Sequence, residues 1–554
     1  MSDEQPPPAE SPQAAALARL EERLARIEKV LALPPLESAA PPAEAIAVPA
    51  PPAAEDLEYV VGQNWFAGVG VVVLTCGVGF ALSLPLPQLP AWAPSLIGYL
   101  LTGGLFFAAR AGHKTFELVA RGLRGAAMAL LYLSTLRLFF FGATPVLDIA
   151  FGPSRMVLLA AVGLNLVVAW RQPSTSLVIL ALLTGYLTAA VVNSPWWLFP
   201  GLTVLSIVVV ATARQRSVPA LLFLGIFCGY GAHLLWVMGN PWPGHPVQLA
   251  TAPAASVIFL LVYAVILGVA PLWRRDEPGE DQLGILTAIF NCAAGYGLFL
   301  AHTFLAFPQE FVPAHLLAAL TFLGLAVAFW RRGGSSVSVF FYAMTGYLAL
   351  TAAILKAFSP PQVFLWLSLQ SLLVVATALW FRSRFIVVAN FLIFVLVVLG
   401  YMFTAEHETG ISLVFGLVAL LTARILNWKR ERLELQTDVM RNAYLVCAFV
   451  VFPYALYHLV PRTFVSVAWV GVAVGYYAMN LMVRNLKYRW MGHLTLLLTV
   501  LYVVIVGLTQ LAPAYRIVSF LVLGTVLLVV SLVFTQVRKR RRAGTALGTE
   551  RQIR

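Results

Sequence analysis

The chain has 554 residues, of which 60% are hydrophobic and 11% are charged, and its formal net charge is +13. Soluble globular proteins contain about 45–50% apolar and about 25% charged residues, so this composition excludes a water-soluble multidomain protein. The cysteines all lie inside apolar runs, which excludes a disulfide scaffold. The basic residues stand in short clusters between apolar stretches, a pattern that indicates membrane topology and no nucleic-acid partner.

Residues 1–63 form a soluble part that differs sharply from the rest of the chain. The first residues, Met-Ser-Asp-Glu, are acidic, and the first long apolar run begins near Asn64, which argues against a cleaved signal peptide. Apolar residues at the heptad spacing of a coiled coil are Leu17, Leu20, Leu24, Ile27 and Leu31. We therefore predict a cytoplasmic region 1–33 with a coiled-coil helix over 14–33 that binds a partner protein or a second copy. The alternative is a lone amphipathic helix that lies on the membrane or on the protein itself.

A Pro/Ala-rich stretch follows the predicted coiled coil. Residues 34–63 are predicted to form a disordered linker and pre-membrane segment, because such a composition buries too little apolar surface to fold. Residues 64–536 are predicted to form a multi-span membrane domain, and residues 537–554 a basic cytoplasmic tail.

Apolar runs alternate with short turns throughout the membrane domain. About eighteen runs of roughly 17–24 residues are present, and each is long enough to cross a bilayer as a helix. Their ranges are 64–84, 91–109, 119–141, 152–170, 176–192, 195–213, 217–238, 252–273, 283–306, 313–330, 336–355, 361–381, 384–404, 408–426, 441–460, 463–483, 488–511 and 514–536. The predicted fold is an all-α polytopic bundle.

The connections between these runs alternate in their basic residues. Connections free of Lys and Arg are 85–90, 193–194, 239–251, 307–312 and 405–407, all odd-numbered. Even-numbered connections carry basic residues, as in Arg274-Arg275 and Arg331-Arg332, and the tail contains the basic run 538–542. Since basic loops stay in the cytoplasm, we predict a multi-pass protein of the bacterial cytoplasmic (inner) membrane with both termini cytoplasmic.

A Gly-Tyr dipeptide recurs along the membrane domain. Its positions are 98–99, 185–186, 229–230, 295–296, 346–347, 400–401 and 475–476. Five of the positions fall in successive outward-running spans, and inward-running spans often end with an aromatic residue before a basic one, which predicts tandem helical hairpins of about 50 residues. The dipeptide favours close helix contact at Gly with packing or hydrogen bonding by Tyr. A solute path lined by tyrosines is the alternative.

Two segments with similar residues suggest a binding region. Cys228-Gly-Tyr-Gly-Ala-His233 resembles Cys292-Ala-Ala-Gly-Tyr-Gly297, which His302 follows, and transporters often bind their solutes at glycine-loosened helices. The predicted solute-path residues are Tyr186, Tyr230, Tyr296, Tyr347, Arg137, His233, His302 and Asn291. Arg137 is a candidate anion contact because a charge inside a span is costly; snorkelling or pairing with Asp148 also accounts for it.

Sequence motifs for catalysis and metal binding are missing. The histidines on the predicted outer side are considered as a metal or proton site together with nearby glutamates: His233, His245, His302, His315, His407 and His458, with Glu310, Glu406 and Glu408. No HExxH spacing occurs among them, so we predict no metal site. There is no P-loop, and no soluble segment after residue 63 exceeds a short loop, so we predict neither an enzyme nor a cofactor. The expected partners are membrane lipids. The leading hypothesis is a transporter or flippase-like protein for an envelope-related or hydrophobic solute. The alternative is a non-enzymatic scaffold or sensor in envelope assembly that acts through its coiled coil.

Three stretches carry a resemblance to a known bacterial family. They are Leu57-Glu-Tyr-Val-Val-Gly-Gln-Asn-Trp65 running into Gly68-Val-Gly70, Leu123-Arg-Gly-Ala-Ala-Met-Ala-Leu-Leu-Tyr132, and Tyr515-Arg-Ile-Val-Ser-Phe-Leu-Val-Leu-Gly524. With these stretches the chain resembles the membrane proteins of domain of unknown function 2339. That family often has a lysine and, five residues later, an aspartate in its penultimate span, where this chain has Tyr502 and Gly507. The resemblance implies the fold and a membrane location, and it brings no established activity.

Overall fold

The computed structural model describes most of the predicted membrane domain. The described residues are 66–84, 88–112, 117–141, 144–149, 152–241, 246–250, 254–273, 282–333, 335–404, 410–428, 437–483, 485–507, 514–515, 517–530 and 532. They form helices joined by short turns and contain no β-strand, so the all-α prediction is confirmed for this part of the chain. The predicted coiled coil over 14–33, the linker 34–63 and the tail 537–554 lie outside the described residues.

Each helix coincides with one of the predicted apolar runs. The helices are α1 (Phe66–Ser83), α2 (Ala93–Ala111), α3 (Glu117–Arg137), α4 (Gly152–Trp170), α5 (Thr175–Val192), α6 (Pro195–Gln215), α7 (Ala220–Val237), α8 (Ala255–Val269), α9 (Gln282–Ala306), α10 (Phe311–Arg331), α11 (Ser336–Ala357), α12 (Gln362–Phe381), α13 (Arg384–Thr404), α14 (Ile411–Trp428), α15 (Thr437–Leu459), α16 (Val465–Val483), α17 (Leu486–Tyr502) and α18 (Ile517–Val530). Among the described residues, 13 helices are long and apolar enough to cross a membrane.

The outer surface of the bundle carries many large hydrophobic residues. Phe403 is 85% exposed, Leu320 70% and Phe80 74%, although each is a large hydrophobic residue. A helix that is apolar all round requires a nonpolar environment on its outer face as well as its inner one. The helices therefore fit a multi-pass membrane protein.

Consecutive helices pack pairwise. The most extensive contacts among the described residues include those of α2 with α3, α10 with α11, α12 with α13, α14 with α15, and α16 with α17. Each of these pairs is joined by a connection that the charge pattern predicts to be cytoplasmic. The arrangement is consistent with tandem hairpins in which an inward-running helix packs against the outward-running helix that follows it.

Hydrogen bonds from side chains also join neighbouring hairpins at the helix ends that carry basic residues. Arg216, just after α6, donates hydrogen bonds to the carbonyl oxygens of Ala169 (2.9 Å) and Gln172 (2.7 Å) at the end of α4. The last carbonyls of a helix have no partner within it, so a cation there satisfies them. The α4–α5 and α6–α7 hairpins are held together at this end.

Helix α9 departs from regular α geometry in its middle. Cys292–Tyr296 forms a π-helical turn, and α-helix continues on both sides of it. A second π-helical turn, Val503–Gly507, follows α17. Single π turns inside α-helices occur often at functional sites. By contrast, Pro200 and Pro453 lie inside the continuous helices α6 and α15.

Candidate functional site

Tyrosine and histidine side chains collect in the part of the bundle formed by α5 and α7 to α11. We call this group the buried polar cluster. Its members are Tyr186, Tyr230, His233, Tyr263, Asn291, Tyr296, His302, His315 and Tyr342. None of them is more than 4% exposed, so every polar atom here has to find its partners inside the protein.

Asn291 on α9 is the hub of the cluster. Its Oδ1 accepts a hydrogen bond of 2.8 Å from the Tyr230 hydroxyl on α7. Its Nδ2 donates to the Ala264 carbonyl oxygen on α8 (2.9 Å) and to the Tyr342 hydroxyl oxygen on α11 (3.4 Å). One side chain therefore joins four helices. A Cβ on Gly268 would lie 3.0 Å from the Tyr342 hydroxyl oxygen, so a small residue is needed on α8 for this approach.

The π-helical turn of α9 makes room for the same network. Gly295 lies inside the turn, and a Cβ at this position would lie 2.6 Å from the Tyr230 hydroxyl oxygen. No real Cβ atom tolerates such a contact, so any larger residue would displace the tyrosine that bonds Asn291. Gly295 and Tyr230 belong to two different Gly-Tyr dipeptides. The position of the Tyr230 hydroxyl requires glycine at position 295.

The imidazole of His233 is enclosed by aromatic rings. It stacks on Phe199 with the ring centroids 5.1 Å apart, and its centroid lies 5.9 Å from that of Trp236 and 6.4 Å from that of His302. His302 has a polar contact, since its Nε2 lies 2.8 Å from the Ser256 hydroxyl oxygen on α8. Two histidines of different helices thus face one another in an apolar setting.

A second imidazole lies on the α10 side of α9. His315 Nδ1 is 2.9 Å from the carbonyl oxygen of Phe311, so Nδ1 carries the proton and Nε2 is left as an acceptor. The Tyr296 ring lies edge-on to His315 at 5.9 Å. The buried face of α9 thus presents polar groups to helices on both sides.

Within the described residues, the cluster contains several buried polar atoms that have no hydrogen-bond partner. They are Tyr186 Oη, His233 Nδ1, His233 Nε2, Tyr296 Oη, His302 Nδ1 and His315 Nε2. Each such atom costs about 1–3 kcal/mol when it is buried unpaired. These atoms are donors and acceptors that the contacts among the described residues leave unused.

The structure brings six of the eight predicted solute-path residues into the cluster and separates the other two. Tyr347 on α11 bonds Thr377, and its carbonyl oxygen accepts a hydrogen bond of 2.8 Å from Gln370 Nε2. The Arg137 guanidinium donates to the carbonyl oxygen of Phe141 beyond the end of α3. Arg137 is only 4% exposed, so its guanidinium is buried at the end of α3 and does not extend into solvent as snorkelling would require. The role of every predicted residue stays a prediction.

Three members of the cluster were not among the predicted path residues. His315 stood in the sequence only as one of the outer-side histidines, and Tyr263 and Tyr342 lie in apolar runs outside the Gly-Tyr dipeptides. A single tyrosine in such a run gives no signal of its partner, because helix packing decides which groups meet.

Metal binding finds no support in the described residues. No group of three His, Cys, Asp or Glu side chains there could hold an ion. Four of the residues considered from the sequence, His245, Glu406, His407 and Glu408, lie outside the described residues.

Comparisons of the chain with protein-family models, with curated proteins and with solved structures give no match.

Proposed function

We propose that the protein is a membrane transporter, flippase-like in moving an envelope-related or hydrophobic solute that carries a polar group, and that the buried polar cluster binds this group. The observation that carries the proposal is the concentration of partnerless hydrogen-bonding atoms on α5, α7, α9 and α10. A polar residue inside a membrane bundle ordinarily bonds a neighbouring helix. Atoms that do not bond a neighbour call for another explanation, and a bound polar group supplies one.

Two further features support a binding role at this place. The π-helical turn Cys292–Tyr296 interrupts α9 beside the cluster, and discontinuous helices near the midplane are where transporters bind their solutes. The cluster members with partners, Asn291 and Tyr230, fix the helices around the partnerless atoms. A site needs both a rigid frame and unused hydrogen-bonding capacity, and these residues supply both.

The proposal includes a topology in which all 18 helices cross the bacterial cytoplasmic membrane with both termini in the cytoplasm. Single cysteines at Gln309 and Arg332, in a variant without the native cysteines, test it. A membrane-impermeant maleimide should label Gln309→Cys on intact cells and Arg332→Cys only after permeabilisation. The opposite pattern would reverse the orientation, and labelling of both on intact cells would contradict the predicted crossings.

The solute site is tested with the purified full-length protein. Its melting temperature is measured against polyprenyl phosphates, lysolipids and nucleotide sugars, since a compound that binds the native state raises that temperature in a saturable way. The compound class that shifts it is then used in flux assays with proteoliposomes. The shift and the flux should be lost in Tyr296→Phe and kept in Tyr476→Phe, a buried Gly-Tyr tyrosine outside the cluster. Equal behaviour of the two variants would contradict the assignment.

Deletion of residues 1–54 separates transport from a scaffold or sensor that acts through the predicted coiled coil. A transporter should keep its flux after the deletion, whereas a scaffold should lose its partners and its cellular phenotype. Membership in the family of domain of unknown function 2339 belongs to the same proposal. It is supported by the three quoted stretches and adds no activity to it.

A further inference from the structure

A groove lies between α4, α6 and α8, at the end of these helices that carries Arg214. Its volume is about 740 Å³, within the range of pockets that hold small molecules. Apolar side chains from α6 and α8 line it: Ile207, Val210, Ala211, Val265, Ile266 and Val269. Polar and amphipathic groups line it as well: Trp170, Arg214 and Gln215. The last three residues are the final residue of α4 and two of the last residues of α6.

We propose that this groove binds one anionic glycerophospholipid of the surrounding membrane, with an acyl chain along the apolar wall and the phosphate at Arg214. The inference rests on the chain spanning a membrane, and it is independent of the solute site. From Ile207 to Arg214 the wall extends over seven residues of one helix, roughly 10 Å at 1.5 Å per residue. That length accommodates the part of an acyl chain nearest the headgroup.

The chemistry of the polar end matches a lipid phosphate. A guanidinium presents several N–H donors in a plane and binds phosphate oxygens through two of them. The Gln215 amide can donate beside it, and a Trp indole at the end of an apolar wall is typical of the membrane interface. The charge pattern predicts that this end lies in the cytoplasmic leaflet, where anionic lipids attract basic residues by about 1 kcal/mol each.

The arrangement is held in place by a residue that does not line the groove. Arg216 bonds the carbonyl oxygens of Ala169 and Gln172, which flank Trp170, and so fixes the end of α4 against α6. The polar end of the groove is therefore formed before any lipid arrives, which lowers the entropic cost of binding.

The test titrates phosphatidylglycerol and, separately, phosphatidylcholine into the detergent-purified full chain while its melting temperature is followed. Phosphatidylglycerol should raise the melting temperature in a saturable way, and phosphatidylcholine should raise it less. Arg214→Gln should raise the half-saturating phosphatidylglycerol concentration about fivefold, as expected for the loss of one basic residue near an anionic lipid. The matched control Arg332→Gln removes an exposed arginine at the end of α10, outside the groove, and should leave that concentration unchanged.

A second variant keeps the proposal falsifiable if Arg214→Gln fails to fold. Val265→Trp fills the groove without a change of charge and should abolish the saturable response to phosphatidylglycerol. Equal losses in Arg214→Gln and Arg332→Gln would overturn the proposal in favour of a general surface potential. An unchanged response in Val265→Trp would overturn it too. Glycerol 3-phosphate alone should give no shift; a shift as large as that of the lipid would identify a free phosphate ester as the ligand and overturn the lipid assignment.

Discussion

Asn291 and Asn390 each join several helices, yet their surroundings differ. Asn390 Nδ2 on α13 donates to the Ser371 hydroxyl oxygen on α12 (2.9 Å) and to the Tyr444 hydroxyl oxygen on α15 (3.0 Å). Within the described residues, none of these three side chains has a buried polar atom without a partner. Asn291 is equally well bonded, but it belongs to a cluster that contains six partnerless atoms among the described residues, and a π-helical turn begins at the next residue.

The comparison shows that a buried asparagine alone does not identify a binding site. Both side chains do what polar residues usually do in a membrane bundle, which is to bond neighbouring helices. The Asn291 region differs because its cluster also contains buried donors and acceptors that bond no other group among the described residues. Four substitutions test this distinction, with expected effects that decrease from Gly295 to Gly475.

Gly295→Val should destabilise the protein most, by about 2–4 kcal/mol. The new side chain overpacks the contact with Tyr230 and displaces its hydroxyl from Asn291. The control is Gly297→Val on the same helix, where a Cβ would meet no atom of the described residues within 4 Å. Unfolding in detergent by heat or denaturant measures both. Equal losses in the two variants would show that backbone propensity, and not the contact, is responsible.

Tyr230→Phe should lower the stability by about 1–2 kcal/mol, because Asn291 Oδ1 loses the hydroxyl that donates to it. Tyr444→Phe should have a smaller effect, about 0.6 kcal/mol, because Asn390 Nδ2 keeps Ser371 as an acceptor. The same unfolding assay measures both variants. Melting temperatures with and without the solute should show that Tyr230→Phe alters the response to the solute and that Tyr444→Phe does not. A larger loss in Tyr444→Phe would reverse the comparison.

Tyr296→Phe should raise the stability by about 1 kcal/mol and abolish the solute response, since the substitution removes a buried hydroxyl that has no partner among the described residues. Tyr476→Phe removes a buried hydroxyl of the same kind on α16 and should be equally stabilising, with the response intact. Melting temperatures with and without the solute separate the two effects. A destabilised Tyr296→Phe would mean that its hydroxyl serves the fold.

Gly475→Ala on α16 should have the smallest effect, a gain of about 0.5–1 kcal/mol, because alanine favours the helix and the new Cβ would meet no atom within 4 Å. Gly346→Ala on α11 should be destabilising, because its Cβ would lie 2.7 Å from Leu323 Cγ and 3.1 Å from the Leu323 backbone nitrogen. Thermal unfolding distinguishes the signs. If both variants changed the stability in the same direction, the Gly-Tyr dipeptides would have one common role.

The sequence predicts the helices well because their bounds are set by composition. The predicted runs 152–170 and 384–404 coincide with α4 and α13. The run 119–141 is less accurate: α3 ends at Arg137, since Leu138 and Phe139 turn back to bond the carbonyls of Thr135 and Leu136. An apolar turn after a helix cannot be distinguished from the helix by hydropathy.

The site is less predictable because it depends on which helix faces meet. The similar segments around Tyr230 and Tyr296 indicate the region where the buried polar cluster forms, and α7 and α9 do lie side by side. Tyr186 and Tyr347 lie in identical tetrads, Thr184-Gly-Tyr-Leu187 and Thr345-Gly-Tyr-Leu348. Tyr347 nevertheless bonds Thr377, whereas the Tyr186 hydroxyl has no partner among the described residues. The same dipeptide thus serves packing in one hairpin and lies at the candidate site in another.

The π-helical turn of α9 offsets the two halves of that helix relative to regular α geometry. A π turn holds one residue more than regular α geometry requires, and its conversion to α would shift the following segment by one position. One position is a rotation of about 100° and a translation of about 1.5 Å. Such a screw motion would carry His302 away from Ser256 and present a different face of the C-terminal half of α9 to α8 and α10. In such a conversion the bonds of Asn291 to α7, α8 and α11 would hold the N-terminal half of α9 while the C-terminal half turned.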